Sequence, residues 1–281
     1  MNKGYAPKFM QKEIKELFPE WTKKEEMENI QSLCLSDDID SLFSCIILKK
    51  LFKQLSIDAF YSFNQIYKTD TKIKSIVGID MDLTGGRCWG NHVTLLSAED
   101  KKNKKCANLN TVLDINRDNY FNKFAGSTLI QVLSRYNIGL NNMSKEQLEV
   151  LVSVDTAFKQ YYFNKDLFKK YYNDILQYPM FEKILKEHDK NYFYNIIKEY
   201  GLHEKIYIDD NGKLNTNIRL DKLGELFPNL SFVLPKKEFY FVKEYKDIGQ
   251  ATYRRTKKGL SNKKIFSLAV TNKNFVKYSV A

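Results

Sequence analysis

No apolar run in the 281 residues reaches the roughly 18–20 positions that a membrane-crossing helix needs, so no transmembrane segment is expected. The opening Met1-Asn2-Lys3-Gly4-Tyr5 lacks the apolar stretch of a secretory signal, and none is expected there. Cysteine is sparse. Cys34, Cys45, Cys88 and Cys106 contain no CxxC pair, and the first two sit in apolar segments, so reduced thiols and a cytoplasmic setting are expected. There are only three histidines, and neither an internal repeat nor a low-complexity tract. Acid is absent beyond Asp247, although Arg254, Arg255, Lys257, Lys258, Lys263, Lys264, Lys273 and Lys277 follow.

That last absence makes the charge lopsided. The segment from Lys236 to Ala281 holds 12 Lys+Arg against three acids, which is +9 of the chain's +11. Such a concentration suits a polyanionic partner, because releasing counterions from phosphates drives binding; a solvated basic face is the plainer alternative. Apolar residues make up 43% of the chain and 18 Tyr and 19 Phe supply much of their volume, enough to fill a sizeable core. The length suits two domains better than one.

Residues 8–30 read as a polar helical region interrupted by Pro19. Ile30 to Leu35 reads as a short strand running into the acidic turn Ser36-Asp37-Asp38-Ile39-Asp40, and the helix from Leu42 to about Leu55, capped by Asp40 or Ser41, is apolar almost all round. Strands are expected at Ile57–Phe63 and Ile73–Asp80. Strand, helix and strand with short joints predict a parallel α/β sheet. Gly126-Ser127-Thr128 opens a further helix, Leu148–Phe158 is apolar around Asp155, and residues 164–200 are helical and aromatic. Short strands near Lys205–Asp209, Ser231–Leu234, Glu238–Val242 and Ile265–Val270 predict a smaller α+β region at the end.

In an α/β sheet, ligands bind beyond the carboxyl ends of the strands, and two of the predicted strands end in aspartate. Asp38 and Asp40, two apart in an extended turn, can face one point, as hard cations such as Mg²⁺ or Mn²⁺ require. Capping accounts for one or two of these acids, but three in four residues after an apolar strand need a counter-charge. His92, near the Gly-rich joint Thr84-Gly85-Gly86-Arg87, is a candidate nitrogen ligand. Zinc held by Cys88, His92 and Cys106 has a permissible Cys-x3-His spacing but no evident fourth ligand.

The order of these features resembles the DHH phosphoesterase family, which includes RecJ-type exonucleases and small-oligonucleotide phosphodiesterases. Its first motif, HxDxDG, corresponds to Ser36-Asp37-Asp38-Ile39-Asp40-Ser41, with both aspartates kept and the His and Gly replaced by Ser. Its second-motif aspartate corresponds to Asp80. The DHH triplet falls on Gly90-Asn91-His92, with only the last residue kept, and the fourth-motif aspartate on Asp155-Thr156. The resemblance covers residues 30–160. It implies one or two Mn²⁺ or Mg²⁺ ions held by Asp38, Asp40, Asp80, His92 and Asp155, which would also be the catalytic residues, and hydrolysis of phosphodiester bonds in nucleic acid or short oligonucleotides. With Ser36 in the place of the first-motif His, one of the family's two metal sites keeps only Asp38 and Asp80. A catalytically inactive relative that binds nucleic acid or a protein partner through its basic C-terminal lobe is the alternative, and a sensor of a small cyclic nucleotide is a third.

The implied organisation is a DHH-like metal-binding α/β domain over 1–163, a helical connector over 164–204 and a basic α+β substrate-binding domain over 205–281. The family's second lobe holds substrate with a Gly-rich loop and an arginine. No such loop is found, and Tyr253-Arg254-Arg255-Thr256 is the nearest match to the arginine segment. Arg254, Arg255, Lys257 and Lys258 are therefore the candidate substrate-binding residues, with Tyr245 and Tyr253 as candidate base-stacking groups.

Overall fold

A computed structural model describes residues 9–252 and 256–281. Helices α1 (Lys12–Leu17) and α2 (Lys24–Met27) flank a 3-10 turn at Glu20–Thr22, and Pro19 separates α1 from that turn as its lack of an N–H dictates. There follow β1 (Ser32–Ser36), α3 (Ile39–Leu51), β2 (Ser56–Tyr61), β3 (Gln65–Lys68), β4 (Ile76–Ile79), β5 (Cys88–Trp89) and β6 (Cys106–Ala107). Next come helices α4 (Leu109–Val112), α5 (Thr128–Arg135), α6 (Lys145–Ser153), α7 (Lys159–Phe163), α8 (Lys165–Phe168), α9 (Met180–Glu187) and α10 (Lys190–Tyr200). The chain closes with β7 (Ile206–Ile208), β8 (Leu214–Thr216), α11 (Leu220–Leu226), β9 (Tyr240–Glu244), β10 (Lys246–Ala251), β11 (Ile265–Asn272) and β12 (Phe275–Val280).

The protein is an α/β fold. Its main sheet has the order β6-β5-β4-β1-β2-β3-β9. Strands β6 to β2 run parallel, and β3 and β9 add an antiparallel flank. Leu35 of β1 pairs with Ile79 of β4, so the residues that follow, Ser36 and Asp80, leave the carboxyl edge of the sheet side by side. Helix α3 is buried through most of its length against β1, β4 and α5, which is why it carries apolar residues on every face. The segment 164–200 is helical, as expected, with a π-helical stretch at Lys169–Ile175 and Phe168 stacked on Tyr172 at 4.1 Å.

Several expectations are corrected. Helix α3 starts at Ile39, and its cap is Asp38, whose side chain accepts from the Ser41 N–H; Asp40 lies inside the first turn. Residues 231–234 are not a strand. Phe232 instead drops into the core, its ring 4.7 Å from that of Phe43 on α3. Strand β3 was hidden in a polar stretch, and β8, β10 and β12 in charged or turn-rich ones. Residues from 205 onward are shared among three sheets: β7 pairs with β8, β9 joins the main sheet, and β10-β12-β11 form an antiparallel sheet of their own.

That last sheet leans on the segment after β4. Backbone bridges join Leu83 to Ser267 and Val93 to Val270, and the Leu268 N–H donates to the Asp82 carbonyl at 2.9 Å. Tyr61 at the end of β2 bonds Ser267 and Ser279 through its buried hydroxyl at 2.9 and 2.8 Å. No helix among the described residues is long and apolar enough to cross a membrane.

Candidate active site

The carboxyl ends of β1 and β4 deliver the acids. Ser41 fixes the geometry between them: its Oγ accepts from the Ser36 N–H at 2.8 Å and donates to the Ile79 carbonyl at 2.7 Å. Asp40, only 1% exposed, is held at the N-terminus of α5, where its two oxygens accept from the Thr128 and Leu129 N–H groups at 2.7 and 2.8 Å. The unpaired amides and the dipole of a helix start suit a carboxylate. Ser127 caps α5, and Gly126 lets the chain pass Phe124 and Tyr172, against which a Cβ would collide. The Thr128 hydroxyl then donates to Asp80 at 2.7 Å, so one helix start organises acids from two strands.

Asp155 joins them from the turn after α6. Asp155 and Thr156 both have left-handed backbones (φ +50° and +53°), and so does Asp80 (φ +55°). Such conformations cost non-glycine residues on the order of 1–3 kcal/mol each and collect at functional sites. Asn91 lies between two of the acids, its amide donating to Asp155 at 2.7 Å and, longer, to Asp40 at 3.4 Å. The other atom of that amide, Oδ1, is buried without a partner, as is Ser36 Oγ at the end of β1.

Burial, with Asp155 and Asp38 nearby, pushes the Asp40 carboxyl well above the usual carboxylate range, and burial with Asp40, Asp38 and Asp155 does the same to Asp80. Asp155 is exposed as a residue, yet desolvation of its carboxyl among the surrounding protein atoms, reinforced by Asp38, pushes it up to about 6 against the opposing pull of His92 and Lys123. Among the described residues, the ion pair to the acidic turn comes from Lys205, whose Nζ lies 3.0 Å from Asp37 and 3.7 Å from Asp38. The Ile206 N–H donates to the Asp37 carbonyl at 2.8 Å, which pins Lys205 there.

Of the expected site residues, Asp38, Asp40, Asp80 and Asp155 are brought together. His92 stands beside them but turns its Nδ1 to Asp82, 2.9 Å away, and Asp82 in turn accepts from Asn108 at 3.0 Å. Asn91, Thr128, Asp82 and Lys205 were missed. Their signals, an amide beside His92, a Ser-Thr helix start, an acid two positions past Asp80 and a lysine opening a strand, are too common to stand out. Among the described residues no three His, Cys, Asp or Glu side chains converge as a metal-holding group in their present positions. All four cysteines are free and buried.

Two cavities meet here. One, of about 410 Å³, is lined by Asp38, Asp80, Asp155 and Lys205 on one side and by Lys277 and Ser267 of the C-terminal sheet on the other. A second, of about 620 Å³, shares His92, Asp155 and Thr271 with it and opens toward α7. Lys257 lines neither; its backbone N–H donates to Asp100 at 2.9 Å. Tyr245 is buried, stacked on Phe266 at 4.3 Å, and presents no free face for a base. Tyr253, Arg254 and Arg255 lie outside the described residues, as does the side chain of Lys258.

No protein-family model, curated protein or solved structure matches the chain. The geometry of the site therefore carries the functional argument.

Proposed function

We propose that the chain is a DHH-like phosphoesterase that uses Mn²⁺ or Mg²⁺ to hydrolyse phosphodiester bonds of nucleic acid or short oligonucleotides. The observation that carries this reading is the convergence of Asp40, Asp80 and Asp155, of which Asp40 is buried, Asp80 half-buried and Asp155 exposed. Three separate segments hold these carboxylates at the carboxyl edge of a parallel sheet, each raised first by desolvation of its carboxyl and then by neighbouring acids. Carboxylate oxygens are the donors a hard divalent cation selects, and a cation among them would relieve the repulsion. Asp40, Asp80 and Asp155 would hold it, with the partnerless oxygen of Asn91 as a further, neutral donor.

Bound there, the ion supplies Lewis acidity toward a phosphoryl oxygen and lowers the pKa of a water. The protein contributes the rest. Thr128 and Leu129 keep Asp40 in place, Thr128 orients Asp80, and Asp82 fixes the ring of His92 at the junction of the two cavities. His92 is the group best placed to bond a phosphoryl oxygen or meet a leaving group there. Lys277 on the C-terminal sheet lines the smaller cavity together with the acids, where it would hold a second phosphate.

The second reading is a binder that does not cut. Lys205 on Asp37 and Asp38, and the Asn91 amide between Asp155 and Asp40, supply internal donors where an enzyme would use cations. One experiment separates the two. Purified protein and its Asp80→Ala variant are incubated with Mn²⁺ and single-stranded, duplex and dinucleotide substrates, and Mn²⁺ binding is followed by calorimetry. The enzyme reading expects cleavage and Mn²⁺ binding by the parent, with cleavage reduced at least about 100-fold in the variant. Salt-sensitive nucleic-acid binding without cleavage or Mn²⁺ uptake would leave only the binder.

A further inference from the structure

Most of the protein's aromatics are packed away, but two at the mouth of the larger cavity are not. Phe121 is 55% exposed and Phe163 is 69% exposed. Phe121 belongs to a 3-10 turn at Tyr120–Asn122, and Phe163 ends α7, 42 positions further along the chain. Their rings nevertheless meet, centroids 6.3 Å apart and 25° from parallel. Among the described residues neither belongs to a hydrophobic core cluster, so packing does not account for bringing them together in water.

Their surroundings are cationic. Lys273, from the turn between β11 and β12, holds its ammonium 5.0 Å from the centre of the Phe121 ring. Lys123 lies 4.5 Å from the Tyr120 ring centre and donates to its hydroxyl, and both Lys123 and Lys159 line the cavity. The same cavity reaches His92 and Asp155, so the aromatic pair stands at one end of a passage whose other end is the acidic site. Exposed ring faces flanked by lysines match a ligand that alternates flat apolar groups with negative charges. That is the chemistry of an unpaired nucleotide strand, in which bases stack on aromatics and phosphates meet ammonium groups. A duplex keeps its base faces covered and could not use the rings.

We propose that Phe121 and Phe163 form a stacking platform for a base of single-stranded nucleic acid, and that Lys123, Lys159 and Lys273 guide the strand's phosphates toward the acidic site. This specifies the substrate class of the phosphoesterase reading and rests on it for what happens at the far end of the passage.

The test uses the full chain in EDTA, so that nothing is cut. Fluorescence anisotropy compares a labelled single strand, made as DNA and as RNA, with a strand of the same length and charge whose bases are replaced by abasic sites. The parent should bind the base-bearing strands about tenfold more tightly than the abasic one, in keeping with one base stacked. Phe121→Ala/Phe163→Ala should lose that preference, Phe121→Trp should keep it, and melting curves check that each variant is folded. No preference in the parent, or one that survives in the double variant, would overturn the platform. A tighter hold on RNA than on DNA, lost with the rings, would support it and name the strand. Hydrolysis of bis(p-nitrophenyl) phosphate with Mn²⁺ tests the acidic site without any base. If the parent fails there yet prefers base-bearing strands, the platform stands and the phosphoesterase reading falls.

Discussion

At the scale of single residues, the site is defined by how negative charge is offset. Asp38 and Asp80 were legible because they follow apolar strands, and Asp155 because it interrupts an apolar segment. Asn91 and Lys205 were not, since an amide and a lysine acquire meaning only from the atoms they touch. Lys205 stands 168 positions beyond Asp37, and the backbone bond from Ile206 to Asp37 holds its strand beside the acids. Replacing it with Met removes the ammonium while keeping much of the packing. Lys205→Met should therefore bind Mn²⁺ about tenfold more tightly by calorimetry, because a competing positive charge is gone. Its metal-free stability should fall by no more than about 1 kcal/mol, as the lysine side chain is 58% exposed. Unchanged Mn²⁺ affinity would show that Lys205 does not act as a counter-cation to this site.

At the scale of elements, the centre of the parallel sheet was readable and its edges were so only in part. β1, α3, β2 and β4 announce themselves by apolar runs between short joints, whereas the two-residue β5 and β6 and the polar β3 do not, and β9, expected near Glu238–Val242, carries exposed side chains that gave no sign of its place beside β3. Asp58 on β2 shows how the flank is anchored. Its carboxylate, 6% exposed, accepts from Ser32 of β1 at 2.8 Å, from Ser56 of its own strand, and from Lys237 ahead of β9 at 2.8 Å. Burial raises its pKa, but the bonds from Lys237, Ser56 and Ser32 together outweigh that and hold it below the usual carboxylate range. A depressed folded pKa stabilises the protein above the unfolded value near 3.9, and that stabilisation is lost as pH falls through the folded value. Lys237→Met should thus cost about 1–2 kcal/mol in urea unfolding at pH 7, with the difference from the parent shrinking below about pH 4. A difference that stayed constant across that window would show that Asp58 is not held by this ion pair.

At the scale of the whole molecule, the basic C-terminal segment was expected to act through Arg254, Arg255, Lys257 and Lys258. Arg254, Arg255 and the side chain of Lys258 lie outside the described residues; among the described residues, two other lysines of the segment lie at the cavities. Lys277 lines the smaller one, and Lys273 stands over Phe121 at the mouth of the larger. Composition could locate the charge along the chain but not in space, because β11 and β12 fold back over the segment that carries Asp82 and His92. Total charge and placed charge make different predictions for the salt dependence of binding. If any lysine served, neutralising exposed lysines remote from the cavities would matter as much, charge for charge, as neutralising those around the passage. Each phosphate contact on a single strand contributes about 0.7 to the slope of log K against log salt. Lys123→Gln/Lys159→Gln/Lys273→Gln should therefore flatten the slope by about 2, while Lys263→Gln/Lys264→Gln, exposed ahead of β11, should leave it near the parent value. Anisotropy titrations over a range of NaCl concentrations measure both. Flattening in proportion to the charge removed, about two-thirds as much in the two-lysine variant as in the three-lysine one, would mean that the strand is held by net charge alone, without a defined path to the acids.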